Sequence, residues 1–266
     1  MKLEYKKIIL RSAISTIRDE KIINELKELL NIDSDTNKRL KSIKKDNIFL
    51  RKWTNKFREI LNDEDSHMYL FFKTETTGLP IKWEAPITEL SNWPRMIRIA
   101  WILCDKNGKR IEFDNYIIKP ENFTISKDVS KIYGITNEQA INEGEILESV
   151  LNRFNEIIKR SDYIISHNIK FEERILESEM LRMGVKSNFN KKQKLCTMQA
   201  STDYYRLSGS EGCKPLTLSQ LHIKLFGKDY EDTLDTLAYI KVILKCFWQM
   251  RKIKLIPNII SRNERI

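Results

Sequence analysis

The chain has 266 residues, of which 41% are hydrophobic and 32% are charged. This composition is typical of a globular protein, with room for one domain of about 200 residues and a smaller appendage. No apolar run approaches the roughly 20 residues that span a bilayer, and the N-terminus lacks the apolar core of a signal peptide. We therefore expect a cytoplasmic protein without a membrane segment. The four cysteines form no CxxC pair, which argues against a zinc site or a disulfide framework.

The formal net charge of +10 favours a polyanionic partner such as nucleic acid. Much of this charge lies between residues 37 and 60, where nine cations stand against two anions. Such a run can neutralise several phosphates and give salt-dependent binding, and the alternative is a solvated helical face. Four of these cations form the candidate nucleic-acid patch: Lys44, Lys45, Arg51 and Lys52.

Residues 1–65 are predicted to form a basic helical extension. Apolar residues recur there at helical spacing, and the segment contains no proline or glycine. A polar stretch at 33–36 divides it into two or three amphipathic helices, because Asp and Ser cap helices and form turns. A main domain is predicted at 66–254, followed by a tail at 255–266.

After residue 66 the pattern changes to strands and helices, which favours an α/β domain. Apolar runs predict strands at 68–72, 97–104, 111–118 and 163–166, with a hairpin turn at 105–108. Helical spacing predicts helices at about 145–160, 170–183, 217–226 and 233–250. A meander of strands followed by alternating helices and strands is the order of a ribonuclease H-like fold.

The first predicted strand continues into Lys-Thr-Glu-Thr-Thr-Gly-Leu at 73–79. This segment resembles the first motif of the DEDD 3'-5' exonucleases, in which the strand ends in Asp-x-Glu and both carboxylates hold divalent metal. Here Glu75 matches the Glu, whereas Lys73 stands in the Asp position. The resemblance therefore implies an exonuclease fold together with an altered active site.

Three later segments resemble other parts of the same family, in the same order along the chain. Tyr-Gly-Ile-Thr at 133–136 lies where these exonucleases have His-Gly-Ile-Thr, and we interpret Tyr133 as a change in a surface turn. The second motif, His-Asn-x-x-Phe-Asp, is matched at 167–172 with Glu172 in the Asp position. In the third motif a His precedes the last Asp by five positions, and these are Tyr230 and Asp235.

The chain thus resembles the DEDDh branch of the family, which includes the proofreading exonuclease subunit of bacterial replicative DNA polymerase, over about residues 67–252. The resemblance implies a mixed central sheet flanked by helices. It also implies two Mg²⁺ or Mn²⁺ ions held by four carboxylates, and a His that acts as general base. The catalytic positions that carry over are Lys73, Glu75, Glu172, Tyr230 and Asp235, of which Glu75, Glu172 and Asp235 would hold any metal.

Lys73 and Tyr230 weaken the implied chemistry. An ammonium about 4 Å from a divalent ion opposes its binding by roughly 8 kcal/mol at an effective dielectric of about 20. Two placements of Lys73 stay open: an internal counter-ion for Glu75, Glu172 and Asp235, which we favour, or a side chain that extends outward to water. A Tyr in place of His is a poor base at neutral pH, and we interpret Tyr230 as a packing or hydrogen-bonding residue rather than a working catalytic Tyr.

Nucleic-acid binding can persist without catalysis, because the family's groove uses other residues. By resemblance, the groove positions are Thr76, Thr77, Gly78, Leu79, His167 and Asn168. The structural alternatives are a turn at Gly78 and an internal hydrogen bond at His167. The aromatic residues that could stack on bases are Trp83, Trp93, Tyr204 and Tyr205. Packing is the favoured role for each of them.

Three functions remain open from the sequence. The favoured one is a catalytically impaired exonuclease, a pseudoenzyme that binds single-stranded nucleic acid or its 3' ends. The second is a working metal-dependent exonuclease in which Asp232 or Glu173 supplies the missing ligand. The third is a protein-interaction module in which residues 1–65 dock the domain onto a larger complex.

Overall fold

The computed structural model describes residues 67–207, 214–231, 234–253 and 255. The chain divides into two compact units, Met1–Ser66 and His67–Ile266. All of the described residues belong to the second unit. The predicted N-terminal helices, their basic patch and the tail beyond residue 255 lie outside the described residues.

In the described part of the chain, one mixed sheet has the strand order β3-β2-β1-β4-β5. Strand β1 is central, with β2 antiparallel on one side and β4 parallel on the other. The predicted α/β class is confirmed. The elements in chain order are β1 Tyr69–Thr76, β2 Met96–Cys104, β3 Arg110–Ile117, α1 Lys127–Tyr133, α2 Asn137–Glu143, α3 Leu147–Arg160, β4 Tyr163–Ser166, α4 Ile169–Arg182, β5 Gln193–Cys196, α5 Thr197–Leu207, α6 Leu218–Phe226 and α7 Thr236–Lys252.

Strand β1 is buried on both faces because helices cover both sides of the sheet. The ring of Phe71 meets Phe247 of α7 edge-on at 5.3 Å, and the ring of Phe72 lies 5.4 Å from Phe154 of α3. Successive side chains of a strand point to opposite faces, so α7 and α3 lie on opposite sides of β1. Such a strand needs a continuous apolar run, which the first four residues of β1 supply.

The predicted strands are present, with shifted ends. Strand β1 continues to Thr76 instead of ending at residue 72, because the long strand β2 supplies partners as far as Met96. Lys73 and Glu75 therefore lie within a paired strand. The predicted turn between β2 and β3 is also present, and the carboxylate of Asp105 accepts hydrogen bonds from two turn amides at 2.9 Å.

The thiols of Cys104 and Cys246 are buried and free, and burial raises the pKa of each to about 12. No helix among the described residues has the length and apolar character needed to cross a membrane.

Candidate active site

The candidate site lies at the carboxyl ends of β1 and β4, where open α/β sheets commonly bind ligands. Strand β4 pairs with β1 only as far as Phe71, so the last residues of β1 extend past it. Helix α4 begins at Ile169, shortly after β4 ends. Its first turn therefore lies beside the projecting end of β1, and this brings Glu172 to Lys73 and Thr74.

Glu172 and Lys73 form an ion pair inside the site. The Lys73 Nζ atom lies 2.8 Å from Glu172 Oε1, and it also donates to the Thr74 carbonyl at 2.6 Å. The second oxygen of Glu172 accepts from the Thr74 amide at 2.8 Å and from its hydroxyl at 2.6 Å. The Glu172 side chain is only 1% exposed and that of Lys73 is 20% exposed. Lys73 thus lies inside the site, where its ion pair is with Glu172 rather than with all three of the carboxylates named from the sequence.

Two effects act in opposite directions on the Lys73 ammonium. Burial lowers the pKa of Lys73, but the charge and hydrogen bond of Glu172, together with smaller effects of Tyr133 and Glu75, outweigh burial, so the pKa is raised. The rings of Phe171 and Tyr239 lie 5.9 and 6.0 Å from the Nζ atom, where an aromatic face attracts a cation. Lys73 therefore stays positively charged within the site.

Glu75 has a different cationic partner, Arg98, which the sequence reasoning missed. The two residues face each other across β1 and β2, and Arg98 Nη1 lies 3.2 Å from Glu75 Oε2. The hydroxyl of Thr236 donates a hydrogen bond to Glu75 Oε1. Burial raises the pKa of Glu75, while Thr236, Arg98 and Lys73 oppose this shift. The sequence did contain one sign of this partner, because Arg98 is a lone cation within the otherwise apolar run of β2.

The predicted ligand Asp235 occupies the N-cap position of helix α7. Its side chain accepts a hydrogen bond from the Leu237 amide at 2.9 Å, and the residue is exposed. This capping bond is a structural role that the family resemblance does not indicate. Of the two proposed substitute ligands, Glu173 pairs with Lys194, and Asp232 lies outside the described residues.

Tyr230, at the position of the family's His, packs against the apolar cluster around helices α6 and α7. Its ring meets the ring of His222 edge-on at 5.8 Å. His222 is itself buried, and its Nδ1 atom donates to the Lys228 carbonyl at 2.8 Å. These contacts agree with the interpretation of Tyr230 as a packing residue.

Tyr133 lies closer to the site chemistry than the sequence indicated. Burial raises its pKa, and the charges of Lys73, Glu75 and Glu172 all act on its hydroxyl. Tyr133 is half-buried and ends its helix before an exposed turn, and its hydroxyl also responds to the charges of the site. Helix α1 ends at a left-handed Gly134 with φ 68°, where an added Cβ would lie 3.0 Å from the side chain of Leu234, so this turn packs against the third motif.

His167 and Asn168 have internal structural roles. The Nε2 atom of His167 donates to the Leu216 carbonyl at 2.9 Å, so its Nδ1 atom accepts from the Thr197 hydroxyl at 3.0 Å. Burial lowers the pKa of His167 to about 4, which keeps the ring neutral. Asn168 adopts a left-handed conformation with φ 74°, which Asn tolerates better than most residues, at the start of α4.

The remaining predicted groove residues begin the loop between β1 and β2. The hydroxyl of Thr76 donates to the Gly78 carbonyl at 2.7 Å, and the amide of Thr77 donates to the Arg95 carbonyl at 2.9 Å. The side chain of Leu79, which follows, is 72% exposed. The polar groups of Thr76 and Thr77 thus shape the loop, while Leu79 faces solvent.

Further along, the same loop presents an apolar surface. Ile81 is exposed, and Trp83 is 53% exposed with its ring 5.9 Å from the ring of Phe171 in α4. The buried side chain of Asn92 fixes the loop by bonding both backbone polar groups of Lys82, at 2.7 and 3.0 Å. Phe171 therefore links the ammonium of Lys73 to the exposed ring of Trp83.

The divalent metals that the resemblance implies do not fit the side chains as they are arranged here. Lys73 pairs with Glu172 and Arg98 pairs with Glu75, so each carboxylate already has a cation. Mg²⁺ and Mn²⁺ require several oxygen ligands, which an adjoining ammonium or guanidinium opposes. In the part of the chain that the structure covers, no three His, Cys, Asp or Glu residues are grouped to hold a metal ion.

The sheet order, its flanking helices and the position of the site define a ribonuclease H-like exonuclease fold. The sequence matches the exonuclease family RNase_T over residues 70–222, which is more than half of the chain. The chain therefore belongs to this exonuclease family, within the DEDD superfamily. The matched segment contains Lys73, Glu75 and Glu172, and it ends before Tyr230 and Asp235.

Solved structures of E. coli exonuclease I share this fold. A zinc-bound complex with single-stranded DNA superposes with a TM-score of 0.56 at 19% identity, covering 72% of this chain and 42% of that chain. A complex with a dT13 oligonucleotide has the same TM-score and identity, with 71% and 42% covered. The apo enzyme gives a TM-score of 0.54 at 17% identity, with 72% and 44% covered. The chain thus spans less than half the length of these proteins. A search of curated proteins finds no sequence that matches it.

Proposed function

We propose that this exonuclease-family domain binds single-stranded nucleic acid, including 3' ends, and that its hydrolytic activity is impaired or lost. The observation that carries the proposal is the 2.8 Å contact between Lys73 Nζ and Glu172 Oε1. The Lys73 ammonium occupies the position of the family's first Asp, which would bind metal, and it is paired with Glu172, another predicted metal ligand.

The remaining site geometry supports the loss of hydrolysis. Metal-dependent phosphodiester hydrolysis needs an activated water and charge stabilisation at the leaving oxygen. Glu75 is engaged by Arg98, and Asp235 caps a helix. Tyr230 packs against His222 at the position where the family has its base. The side chains that would bind metal or activate water are thus engaged in contacts within the fold.

Features beside the site support binding. The exposed side chains of Leu79, Ile81 and Trp83 form an apolar loop surface, and Lys82 lies among them with its side chain exposed. Aromatic faces stack on bases of any sequence, and cations attract the phosphates. The net charge of +10 favours the same partner. We propose Leu79 and Trp83 as the groove contacts, with Thr76, Thr77 and Gly78 shaping the loop.

The proposal is tested by measuring binding and hydrolysis separately. Anisotropy of labelled single-stranded DNA and RNA, with EDTA present, measures metal-independent binding. Release of nucleotides from the 3' end, with Mg²⁺ or Mn²⁺ added, measures hydrolysis by the natural protein and by Glu75→Ala. We expect binding in EDTA and no release above the level of Glu75→Ala.

Two outcomes would overturn the proposal. Robust release by the natural protein that disappears in Glu75→Ala would establish a working metal-dependent exonuclease with a rearranged site. An absence of binding to either nucleic acid, with folding intact by circular dichroism, would favour the protein-interaction module instead.

A further inference from the structure

We propose that Arg98 is a second internal cation that closes the carboxylate site independently of Lys73, so that divalent metal binds well only when both cations are removed. The proposal rests on the proposed function and adds a residue to which no role is assigned by the family resemblance. Arg98 acts here as a positioning residue, because it holds Glu75 in place.

The first observation is the burial and alignment of the pair. Glu75 and Arg98 are direct partners in the antiparallel register of β1 and β2. Their charged atoms lie 3.2 Å apart, and the side chains are only 8% and 11% exposed. An ion pair so shielded from water is not weakened by solvent in the way that a surface pair is. The guanidinium therefore competes directly with any ion that approaches Glu75.

The second observation is that Glu75, Arg98 and Thr236 contact one another in one closed arrangement. Arg98 Nη1 contacts Oε2, and the Thr236 hydroxyl donates to Oε1. The same Nη1 atom donates to the Thr236 hydroxyl oxygen at 3.2 Å and to the Leu234 carbonyl at 3.1 Å. Oε1 is therefore taken by a hydrogen bond, whereas Oε2 carries no hydrogen bond and faces the guanidinium charge, which opposes a metal ion at that oxygen.

The third observation concerns the chain segment that Arg98 contacts. Leu234 and Thr236 flank Asp235, the last carboxylate of the family's motif series. By bonding both neighbours, Arg98 fixes the segment in which Asp235 caps helix α7. One guanidinium thus constrains two of the family's carboxylate positions, whereas Lys73 contacts the third, Glu172.

The charges explain why one substitution is insufficient. Lys73 and Arg98 balance Glu75 and Glu172, so the buried part of the site is neutral. In Lys73→Asp the new carboxylate and Glu172 become available, but Glu75 remains bound to Arg98. Only Lys73→Asp/Arg98→Gln leaves three carboxylates without an internal cation. We expect its affinity for Mn²⁺ to exceed that of Lys73→Asp by about 10-fold or more, because a guanidinium beside the ion opposes binding.

The experiment measures Mn²⁺ directly by the loss of the free-ion signal in electron paramagnetic resonance. The natural protein, Lys73→Asp, Arg98→Gln and the double variant are titrated at one ionic strength. The matched control is Lys73→Asp/Arg153→Gln, which has the same net charge, because Arg153 pairs with Asp114 in β3 rather than with the site. We expect negligible binding by the natural protein and Arg98→Gln, weak binding by Lys73→Asp and the control, and tight binding by the double variant.

Equal affinities of Lys73→Asp and the double variant would overturn the role of Arg98, and so would tight binding by the control. Circular dichroism checks that each variant folds. If the double variant does not fold, Lys73→Asp/Arg98→Met is used instead, because it also removes the guanidinium and keeps much of the aliphatic side chain. It should bind Mn²⁺ more tightly than Lys73→Asp, and equal affinity would count against the proposal. Neither result would overturn the proposed function, because Lys73 alone can still oppose metal binding in the natural protein and the hydrolysis test measures that protein directly.

Discussion

The ion pair of Lys73 and Glu172 should contribute far more to stability than a surface pair does. Opposite unit charges 2.8 Å apart attract by about 6 kcal/mol at an effective dielectric of about 20, and desolvation removes part of this gain. Removing one partner of a buried pair leaves the other charge without compensation, at a typical cost of about 3–5 kcal/mol. We expect Lys73→Met to lower the free energy of unfolding by about 3 kcal/mol, because the two Thr74 hydrogen bonds to Glu172 remain.

A double-mutant cycle isolates the pair from the other effects of each substitution. Lys73→Met, Glu172→Gln and the double variant are unfolded in urea, and unfolding is followed by circular dichroism. The control cycle uses Lys131→Met and Asp128→Asn, an almost fully exposed pair at 3.6 Å whose coupling should be close to zero. We expect a coupling of about 2 kcal/mol or more for Lys73 and Glu172. A coupling as small as that of the control would refute the internal placement of the ammonium.

Three other features give measurable expectations. The pKa of His167 is lowered to about 4, so between pH 6.5 and 4 the unfolded state binds a proton that the folded state does not. The free energy of unfolding should therefore fall by about 3 kcal/mol over this range, and His167→Gln should reduce the pH dependence. An equal pH dependence in His167→Gln would contradict this expectation. Trp83→Ala should weaken oligonucleotide binding by about 1–3 kcal/mol, and the exposed Phe113→Ala on β3 should not; equal effects would exclude stacking. Neutralising the basic patch should reduce the salt dependence of nucleic-acid binding, and an unchanged salt dependence would mean that the patch is only a solvated helical face. The patch residues to neutralise are Lys44, Lys45, Arg51 and Lys52.

Long apolar segments made the centre of the fold predictable. Strand β1 lies under helices on both faces, so its residues form an unbroken apolar run that is visible in the sequence. Helix α7 likewise has a periodic apolar face, although its start was predicted at residue 233 and lies at Thr236, after the N-cap Asp235. Where burial determines the residue type over many positions, the pattern is sufficient to identify the element.

Short elements were missed because their own residues carry little signal. Strand β5 has only four residues, two of them exposed, and it exists because β4 pairs with it in parallel. Helices α1 and α2 have seven residues each, and their N-caps are Ser126 and Thr136, whose side chains accept from the amides of Val129 and Gln139. Such helices depend on caps and tertiary packing more than on intrinsic propensity.

The site was predictable as a set of positions but not as a set of contacts. Motif order placed Lys73 and Glu172 at one site, and the structure shows them paired. The partner of Glu75 depended on the register of β1 and β2, which neither motif nor composition reveals. Tyr133 and Lys73 are far apart in the sequence, so no local pattern could show that the charge of Lys73 acts on the Tyr133 hydroxyl.

Carboxylates buried at the end of a sheet require positive charge nearby. In the family, divalent ions supply it, and their contribution depends on the ion concentration in solution. Here Lys73 and Arg98 supply it from within the chain, so the site is electrostatically balanced at any ion concentration. Helix α4, whose Glu172 is bonded to β1, also carries Phe171, against which Trp83 packs. The proposed base-stacking surface is therefore connected to Lys73 through Glu172 and Phe171, with no metal between them. A chelator should leave oligonucleotide binding by this protein unchanged, whereas it should stop hydrolysis by a metal-dependent exonuclease.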